Sequence, residues 1–547
     1  MGPVRRGSEF DGSSPATDYG RWLSSSMVSG RELTAMGRQV AGLRYLPRIS
    51  LILVISDADE VWIKSSVDSV LRQVYPYLEL CVCDNGSRRE HVAGVLERYA
   101  SEDERITLRR LSEKRGRAEA YNEAASMATG EFVALLDQGD ELAPDAIFRV
   151  VELLQRTRAD AVYTDEDNID VGGRRSDPVF KPYWSPDLLL STAYIGRLCV
   201  VRRSVLEDLG AFREGFEGAE EHDLMLRLSE RTRRVYHLPE VLYHRRNLPG
   251  VPGEENRTLS QAIESALVRR ENEATLEPGL VEGSFRVVRS PGGYPRVSVV
   301  VFVPEGVVGR PLLDELEQRT SYPIHQVVVA SVGEATRPSV ESVDHPFPAW
   351  ALNLAAERAE GEFLVFMDAR VRIEDPGWLQ EMLSQARRQD VGAVGCKLLN
   401  PGGGIRHAGS LVGMSRLTGY AEYVSEEGHY LPQVDHPFNF AAASSECMAV
   451  RRSFFERVGG FDEANLPTAL YDLDLSFRLR ETGLLNVYTP YTQVVCGGPK
   501  ATPSVGEIRY MWTRWWGELV RTLYYQRSPL HPEHHGLDKE ALSVLPL

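Results

Sequence analysis

The sequence predicts an α/β protein with mostly parallel sheets flanked by helices, arranged as two copies of one domain. Two observations support this prediction. Short apolar runs alternate with segments of helical periodicity, and several motifs recur in the same order in the second half of the chain. Apolar runs bounded by turn residues are typical of strands buried on both faces of a parallel sheet. At 547 residues the chain is also too long for a single hydrophobic core.

Composition narrows the function classes. Lys+Arg number 62 and Asp+Glu number 78, a formal net charge of −16, which argues against a nucleic-acid partner held through its phosphates. No apolar stretch approaches the roughly 20 residues of a membrane-spanning helix, and the N-terminus lacks the apolar region of a signal peptide. The six cysteines form no C-x-x-C pair, so we expect buried reduced thiols in a cytoplasmic protein.

The predicted elements of the first copy alternate between strand and helix, which indicates βαβ units. Before them, residues 1–46 predict a disordered polar segment followed by a helical lead-in. The predicted strands lie at 49–55, 78–83, 106–110, 132–136, 161–164, 199–202 and 241–246, and the predicted helices at 61–73, 90–100, 116–128, 146–157 and 218–231.

Acidic side chains follow the second and fourth of these strands. Asp84 comes at the end of the second strand, and Asp137 and Asp140 follow the fourth. Because the carboxyl ends of parallel strands meet at one sheet edge, we expect these groups in the ligand crevice. Clustered carboxylates repel one another unless a cation or a positive substrate group lies among them. Our interpretation is a divalent metal that holds nucleotide phosphates, and a solvated acidic turn is the alternative.

Two further acidic groups allow a functional and a structural interpretation. The strand at 161–164 is followed by an acidic triplet, which predicts either a sugar or acceptor pocket or a solvated turn. The helix at 218–231 carries Glu221 and Asp223 in its first turn, where carboxylates complement the helix dipole. A positioned carboxylate there could equally act as a general base, and we favour that role for Glu221, with Asp223 as second choice.

An internal repeat sets the domain organisation. The recurring positions, first copy before second, are Asn122 and Asn353, Asp137 and Asp368, Arg202 and Arg451, Asp223 and Asp474, and Arg227 and Arg478. The copies differ where chemistry would occur, since Asp84 aligns with Ser331 and Gly139 with Arg370. A single active site would therefore lie in the first copy. The predicted segments are a first domain at 47–246, a linker with a helix at 247–293, a second domain at 294–500, and a C-terminal helix and tail at 501–547.

Longer motifs link the chain to a known family. In the first copy they are DNGS (84–87), ALLDQGDEL (134–142), YTDEDNID (163–170), KPYWSPDLL (181–189), EEHDL (220–224) and YHRR (243–246). In the second copy they are VGAVGCKLL (391–399), IRHAGSLVG (405–413), VRRSFFERVGGFDE (450–463) and YDLDLSFRLRETG (471–483). Together they resemble family 2 glycosyltransferases, whose GT-A fold is Rossmann-like and binds nucleotide-diphospho-sugars. More narrowly, the chain resembles bacterial proteins of O-antigen and surface polysaccharide assembly.

The resemblance implies roles for individual residues. Glu221 stands where the family has its catalytic base, with Asp223 beside it. Asp137 opens an Asp-x-Asp element that binds Mg²⁺ or Mn²⁺, although Gly139 replaces its second acid. The implied nucleotide contacts are Asp84, Asn85, Arg115, Gly116, Asn122 and Asp137; the implied metal ligands are Asp137, Asp140 and His244; and the implied sugar or acceptor contacts are Asp165, Glu166, Asp167 and Trp184.

The implied activity is inverting transfer of a sugar from a nucleotide-diphosphate sugar to a glycan or lipid-linked acceptor, assisted by a divalent metal. Protein partners in polysaccharide assembly are implied as well. Residues 507–525 predict a tryptophan-bearing helix that docks on its own domain, and peripheral contact with the inner face of the cell membrane is the alternative. The alternative function is a catalytically inactive relative that binds glycan or nucleotide or scaffolds an assembly complex.

Overall fold

The computed structural model describes residues 18–246, 255–270, 273–289, 293–332, 341–408 and 432–523. These described residues divide into two compact units. Unit one holds residues 18–184 and 192–270, and unit two holds residues 185–191 and the described residues from 273 to 523. The predicted disordered segment 1–16, residues 247–254 of the predicted linker and residues 409–413 of one second-copy motif lie outside the described residues.

The helices follow the predicted periodicity closely. They are α1 Asp18–Ser26, α2 Gly30–Val40, α3 Glu60–Leu71, α4 Glu90–Glu102, α5 Arg117–Ala125, α6 Ala146–Leu154, α7 Pro186–Leu189, α8 Arg203–Asp208, α9 Glu220–Arg231, α10 Glu255–Arg269, α11 Arg310–Gln318, α12 Pro348–Arg358, α13 Trp378–Ala386, α14 Arg452–Arg457, α15 Tyr471–Glu481 and α16 Val505–Leu523. A short 3₁₀ helix covers Pro432–Asp435. Within the described residues, no helix combines the length and apolarity that a bilayer crossing requires.

The strands alternate with these helices in both units. They are β1 Ile49–Ile55, β2 Leu78–Asp84, β3 Ile106–Arg110, β4 Phe132–Asp137, β5 Glu141–Leu142, β6 Ala161–Ile169, β7 Arg175–Val179, β8 Cys199–Arg202, β9 Val235–Arg246, β10 Ala274–Pro278, β11 Phe285–Arg289, β12 Val297–Val303, β13 Gln326–Ser331, β14 Glu341–Asp344, β15 Phe363–Asp368, β16 Val371–Ile373, β17 Val391–Leu399, β18 Ile405–His407, β19 Phe438–Asn439, β20 Cys447–Arg451 and β21 Leu485–Cys496.

The sheet of unit one has the strand order β3-β2-β1-β4-β8-β6-β9-β5, with β7 paired to β6. Strands β3, β2, β1 and β4 run parallel, as predicted for βαβ units, whereas β8 is antiparallel to both β4 and β6. Helices cover the sheet, so the central strand β1 is almost wholly buried. Each fully buried aliphatic side chain there contributes about 1.5–3 kcal/mol relative to an exposed one.

Unit two repeats this topology strand for strand. Its order is β14-β13-β12-β15-β20-β17-β21-β16, with β18 and β19 paired at the side. Strand β12 corresponds to β1, β15 to β4, β20 to β8 and α15 to α9. The tandem α/β repeat predicted from the motifs is therefore confirmed, and both units have their own apolar core.

A glycine shared by both copies shows why the repeat motif is kept. Gly130 precedes β4, and its N–H donates to Ser50 Oγ at 2.9 Å; Gly361 precedes β15, and its N–H donates to Ser298 Oγ at 2.9 Å. A Cβ on Gly130 would lie 2.7 Å from the carbonyl oxygen of Arg48. The close approach of two backbones at the start of the central strand therefore excludes any larger residue.

Three predictions about single segments have clear outcomes. Strand β6 runs on to Ile169, so the acidic triplet at 165–167 lies inside a strand rather than in a solvated turn. All six cysteines are unpaired, as predicted. Helix α16 packs on its own unit through Trp515, which is buried against Phe477 with ring centroids 5.0 Å apart.

Candidate functional site

Strands β2 and β4 flank β1, and their carboxyl ends lie at the same edge of the sheet. The register pairs Ile55 with Asp84 of β2 and Val54 with Asp137 of β4. Neighbouring strands are about 5 Å apart, so the two aspartates end strands separated by about 10 Å. The prediction that both acids lie at one edge of one sheet is confirmed.

A cavity of about 320 Å³ opens beside Asp137, between β4, β8 and the first turn of α9. Its inner wall is apolar and includes Val133, Leu135, Leu224 and Met225. Its polar lining residues include Arg117, Asp137, Arg197, Glu220, Glu221 and His222. A charged rim over an apolar chamber is a common form of small-molecule site.

Arg197 joins the two carboxylates that the sequence singled out. Its Nη2 donates to Asp137 Oδ2 at 2.7 Å, and its Nη1 forms an ion pair with Glu221. The side chain of Arg197 is only 13% exposed, and its Nε–H is a buried donor with no acceptor in the described part of the chain. Asp137 on the sheet edge and Glu221 at the helix start are therefore neighbours, as the catalytic interpretation requires.

Asp137 is held by further donors from α5. The Tyr121 hydroxyl donates to its Oδ1 at 2.8 Å, and Arg117 Nη2 lies 3.6 Å from the same oxygen. Burial by itself would raise the pKa of Asp137, but Arg197 and Arg117 outweigh burial and hold that pKa below its usual range. Asp137 is thus an anion in a ring of positive and hydroxyl donors.

The first turn of α9 supplies two further buried polar groups at the cavity. His222 is 6% exposed, and its Nε2 has no hydrogen-bond partner in the described part of the chain. Burial lowers the pKa of His222 to about 4, so the ring is neutral at pH 7. Burial also raises the pKa of Glu220, whose Oε1 lies 4.0 Å from Arg117 Nε and likewise has no hydrogen-bond partner within the described residues. Polar atoms left unpaired at a cavity wall are available to a ligand.

The turn after β2 is fastened to the loop before α5. The Ser87 N–H donates to Asp84 Oδ1 at 3.1 Å, and Arg110 Nε lies 3.4 Å from Asp84 Oδ2. Asn85 binds the backbone of Arg115 twice, through Oδ1 at 2.8 Å and Nδ2 at 3.1 Å. Arg115 and the helix-capping Gly116 therefore lie next to the Asp84 turn, and neither lines the cavity.

Asn122 corrects the predicted nucleotide contact, because its side-chain amide is used internally. Its Nδ2 donates to the carbonyl oxygen of Phe212 at 2.8 Å, and its Oδ1 accepts from the Phe212 N–H at 3.0 Å. Asn353 binds Phe461 in the same way in unit two. The recurrence of Asn122 in both copies thus reflects packing of α5 rather than ligand binding.

The two predicted metal ligands beside Asp137 are also engaged elsewhere. Asp140 accepts from the Tyr243 hydroxyl at 2.6 Å and from the Arg246 N–H at 2.7 Å, and burial raises its pKa to about 7. His244 contacts Asp167 Oδ1 through Nδ1 at 2.7 Å. Both carboxylate oxygens of Asp140 and the Nδ1 of His244 therefore already have partners inside the fold, where they hold β5 and β9 in place.

The residues present do not fit a divalent cation as their side chains are arranged. In the described ranges, no group of three or more His, Cys, Asp or Glu side chains is placed to hold a metal. Both oxygens of Asp137 face donors, and the Arg197 guanidinium occupies the position beside Asp137 where a second cation would be repelled. Gly139 adds no ligand of its own.

The acidic triplet of β6 is paired inside the fold, and its role as a sugar or acceptor contact stays a prediction. Asp165 contacts His237 Nε2 at 2.8 Å, Glu166 accepts from Lys181 Nζ at 2.9 Å, and Asp167 accepts from Arg175 Nε at 2.6 Å. These three carboxylates are almost fully buried and each has a cation or imidazole as partner, which is the condition for keeping charge inside a fold. Trp184, the fourth predicted contact, is half-buried and does not line the cavity.

Asp223 is a further correction, because it is buried outside the cavity. It accepts from Arg227 Nε at 2.9 Å and from Arg213 Nε at 3.0 Å. Arg478 and Asp474 repeat the first of these contacts in unit two, at 2.7 Å. Asp223 therefore anchors α9, and of the two predicted catalytic acids it is Glu221 that lines the cavity.

Unit two lacks the equivalent charges. Arg370 Nη2 donates to Asp368 Oδ2 at 2.7 Å and covers the aspartate that corresponds to Asp137. Pairing of Phe132 with Arg202 and of Phe363 with Arg451 aligns β8 with β20, so that Glu446 stands at the position of Arg197. This reversal of charge was visible in the sequence, five residues before the recurring arginine, and would have singled out Arg197. Motif reading alone also missed Arg117, Glu220 and His222 as cavity residues. It missed Tyr121 as a donor to Asp137 as well.

Comparisons with known proteins agree with this division. The family model described as Glycosyl transferase family 2 matches residues 50–210, and the model described as Glycosyltransferase like family 2 matches residues 285–516. The first match covers most of unit one up to α8, and the second covers most of unit two.

Two relatives align along most of the chain. The "O-antigen biosynthesis protein RfbC" of Myxococcus xanthus is 36% identical over 504 residues, which are 87% of this chain and 39% of that protein. The "Uncharacterized protein y4gI" of Sinorhizobium fredii (strain NBRC 101917 / NGR234) is 32% identical over 86% of this chain and 56% of its own length. The chain thus spans about half or less of the relatives that it matches.

Among solved structures, S. aureus TarS 1-349 in complex with UDP matches 40% of this chain and 65% of its own, at 19% identity and a TM-score of 0.34. A superposition this loose is no basis for assigning a family. The assignment is based on the two family models, the shared strand order and the long alignments. The chain belongs to glycosyltransferase family 2 and contains two GT-A domains of that family in tandem.

Proposed function

We propose that unit one transfers a sugar from a nucleotide-diphosphate sugar to a hydroxyl of a glycan or lipid-linked acceptor, with inversion at the anomeric carbon. The observation that carries this proposal is the meeting of Asp137 and Glu221 on Arg197 at the mouth of one cavity. A sheet-edge aspartate and a helix-borne carboxylate therefore line the same cavity, where a sugar is proposed to bind.

Glu221 is the proposed base. Inversion requires one carboxylate to accept the acceptor's hydroxyl proton while the oxygen attacks the anomeric carbon from the side opposite the diphosphate. Glu221 is 22% exposed at the cavity mouth, so an acceptor can reach it, whereas Asp223 is fully buried. A positioned base typically contributes about 10²–10⁴-fold to the rate.

The nucleotide is proposed to bind over the Asp84 and Asn85 turn, with its diphosphate directed toward Asp137. Strand register puts this turn at the same sheet edge as the cavity, at the carboxyl ends where open α/β sheets bind ligands. The predicted divalent metal is not used in this mechanism, because the side chains around Asp137 do not fit one. The relative named for O-antigen biosynthesis supports a surface polysaccharide as the acceptor class.

Release of nucleoside diphosphate from a panel of nucleotide sugars, with and without bacterial glycan acceptors, tests the proposal. We expect Glu221→Gln to lower the rate of release by about 10²–10⁴-fold while nucleotide binding is retained, because the amide cannot take a proton. The matched control is Asp472→Asn at the start of α15 in unit two, which should leave the rate unchanged. Equal losses in both variants, or none in Glu221→Gln, would contradict the assignment.

A second candidate function is binding without transfer. The ion pair between Glu221 and Arg197 favours it, since a carboxylate bound to a guanidinium is a weaker base. The same assay separates the two candidates: a binding protein would take up a nucleotide sugar without releasing nucleoside diphosphate in the wild type.

A further inference from the structure

We propose that Arg197 and Arg117 bind the leaving diphosphate directly, as a guanidinium clamp that takes the place of a divalent cation in unit one. This inference rests on the proposed function, because it concerns the same donor in the same cavity. It adds a direct contact between guanidinium groups and the diphosphate. It also predicts that nucleotide binding does not require a metal, which can be measured separately from catalysis.

The first step of the argument is the free donor on Arg197. Two of its nitrogens are used by Asp137 and Glu221, but the Nε–H is buried at the cavity and has no acceptor in the described residues. A buried charged donor without an acceptor is unfavourable, and a ligand oxygen would remove that cost. A guanidinium fork matches the oxygens of a phosphate in spacing and direction.

The second step is the position of Arg117. It lines the same cavity, its Nη2 lies 3.6 Å from Asp137 Oδ1, and its Nε lies 4.0 Å from Glu220 Oε1. Two guanidinium groups therefore face one aspartate from two elements, α5 and the segment before β8. Two fixed positive charges at a sheet edge attract a diphosphate in the way that a bound cation would.

The third step is the lack of free carboxylates directly after β4 that could hold a cation together with Asp137. Gly139 supplies no carboxylate, and both oxygens of Asp140 are taken by Tyr243 and Arg246. Neither Gly139 nor Asp140 therefore gives Asp137 a free carboxylate with which to share a cation. In unit two, Glu446 stands at the position of Arg197. The guanidinium is therefore present only in the copy whose cavity is lined by Asp137 and Glu221.

In the transfer step, the acceptor oxygen forms a bond to the anomeric carbon and its proton passes to Glu221. The bond from that carbon to the diphosphate oxygen breaks, and its electron pair stays on the diphosphate, where the two guanidinium groups stabilise it. When the diphosphate takes the donors of Arg197, the ion pair with Glu221 is released and the carboxylate becomes available as a base. Donor binding would thus prepare the base in the same event.

Calorimetric titration of the full chain with UDP, dTDP, GDP and CDP tests the clamp, in buffer with excess EDTA and in buffer with Mn²⁺. We expect one or more of these to bind with the same affinity in both buffers. Arg197→Ala should weaken that binding by roughly 10- to 100-fold, the loss of one or two charge-assisted hydrogen bonds. Arg197→Lys should be intermediate, because lysine keeps the charge without the fork.

The matched control is Arg370→Ala, which removes the arginine that covers Asp368 in unit two and should leave binding unchanged. Binding that requires Mn²⁺, or wild-type affinity in Arg197→Ala, overturns the clamp and leaves the proposed function standing. No binding in either buffer overturns both. If Arg197→Ala fails to fold in a thermal unfolding scan, Arg197→Lys decides, and wild-type affinity in that variant overturns the clamp.

Discussion

Asp223 and Arg227 form an ion pair that recurs as Asp474 and Arg478 in the second copy. A buried ion pair is stable when further hydrogen bonds satisfy its remaining donors. Arg227 meets this condition, because it also donates to the backbone oxygens of Leu209 and Ala211. At the residue scale, the recurrence of this ion pair in both copies therefore reflects packing. Glu221, Arg197 and Asp84 are the informative residues, because their counterparts in unit two are chemically different or lack the same environment.

Asp140 predicts a pH dependence of stability. Burial, followed by the charge of Asp137, raises its pKa to about 7, well above an unfolded value of about 3.9. The folded state therefore favours the protonated form, and this stabilisation is complete below about pH 4 and is lost as pH rises to about 7. The free energy of unfolding should fall by about 3 kcal/mol between pH 5 and pH 8 from this residue.

Asp140→Asn mimics the protonated acid and should remove that part of the pH dependence, since its amide can bond to Tyr243 and accept from the Arg246 N–H. Urea unfolding of both proteins at pH 5 and pH 8 measures the difference. If the variant and the wild type lose the same stability across that interval, Asp140 is not the group responsible.

At the scale of elements, the first turn of α9 and the strand β4 owe their positions to interactions that lie outside the cavity. Arg227 fixes α9 to the turn after α8, and Gly130 lets β4 start against the backbone of β1. Helix α5 is held by Asn122, and it is this helix that brings Tyr121 and Arg117 to Asp137. A rigid frame of this kind is what keeps charged groups in place before a ligand arrives.

Asn122→Ala should destabilise unit one by about 1–3 kcal/mol, because the Phe212 N–H and carbonyl oxygen would each lose a hydrogen-bond partner. Asn353→Ala is the matched variant in unit two and should cost a similar amount. Chemical unfolding measures both losses. Nucleotide binding should weaken only in Asn122→Ala, and an equal loss of binding in Asn353→Ala would argue against a site in unit one alone.

At the scale of the whole molecule, duplication has left two copies of one fold with different charge at one position. The core residues of β1 and β12 are alike in type and burial, whereas Arg197 faces Asp137 and Glu446 stands at the equivalent position near Asp368. Selection on folding and selection on ligand binding act on different residues, so one copy can lose its polar rim without losing its core.

The molecule should therefore bind one nucleoside diphosphate per chain. Unit two has Glu446 where unit one has Arg197, so it lacks the guanidinium donor that the clamp requires. The stoichiometry of calorimetric titration at saturating UDP or dTDP measures this number directly. Two equivalent sites per chain, or a site whose affinity is unchanged in Arg197→Ala, would contradict the expectation.

Much of the fold and part of the site could be predicted from the order of residues alone. The strands β1, β2 and β4, the tandem repeat, and the meeting of Asp84 and Asp137 at one sheet edge all follow from apolar periodicity and from the rules of parallel sheets. These features depend on neighbours along the chain or on topology that every βαβ unit shares.

Only the tertiary structure decided which acids can be reached from the cavity. Asp140, Asp165, Glu166, Asp167 and Asp223 look as available in sequence as Glu221 does, yet they are buried and each is paired with a hydroxyl, an imidazole or a cation. Glu221 also pairs with Arg197, but its side chain lines the cavity and is 22% exposed. Arg197, 60 residues from Asp137 along the chain, reaches it from the segment before β8, the strand paired with β4. Hydrogen bonds and charges act through space over a few ångströms, so their partners are set by packing and not by sequence spacing.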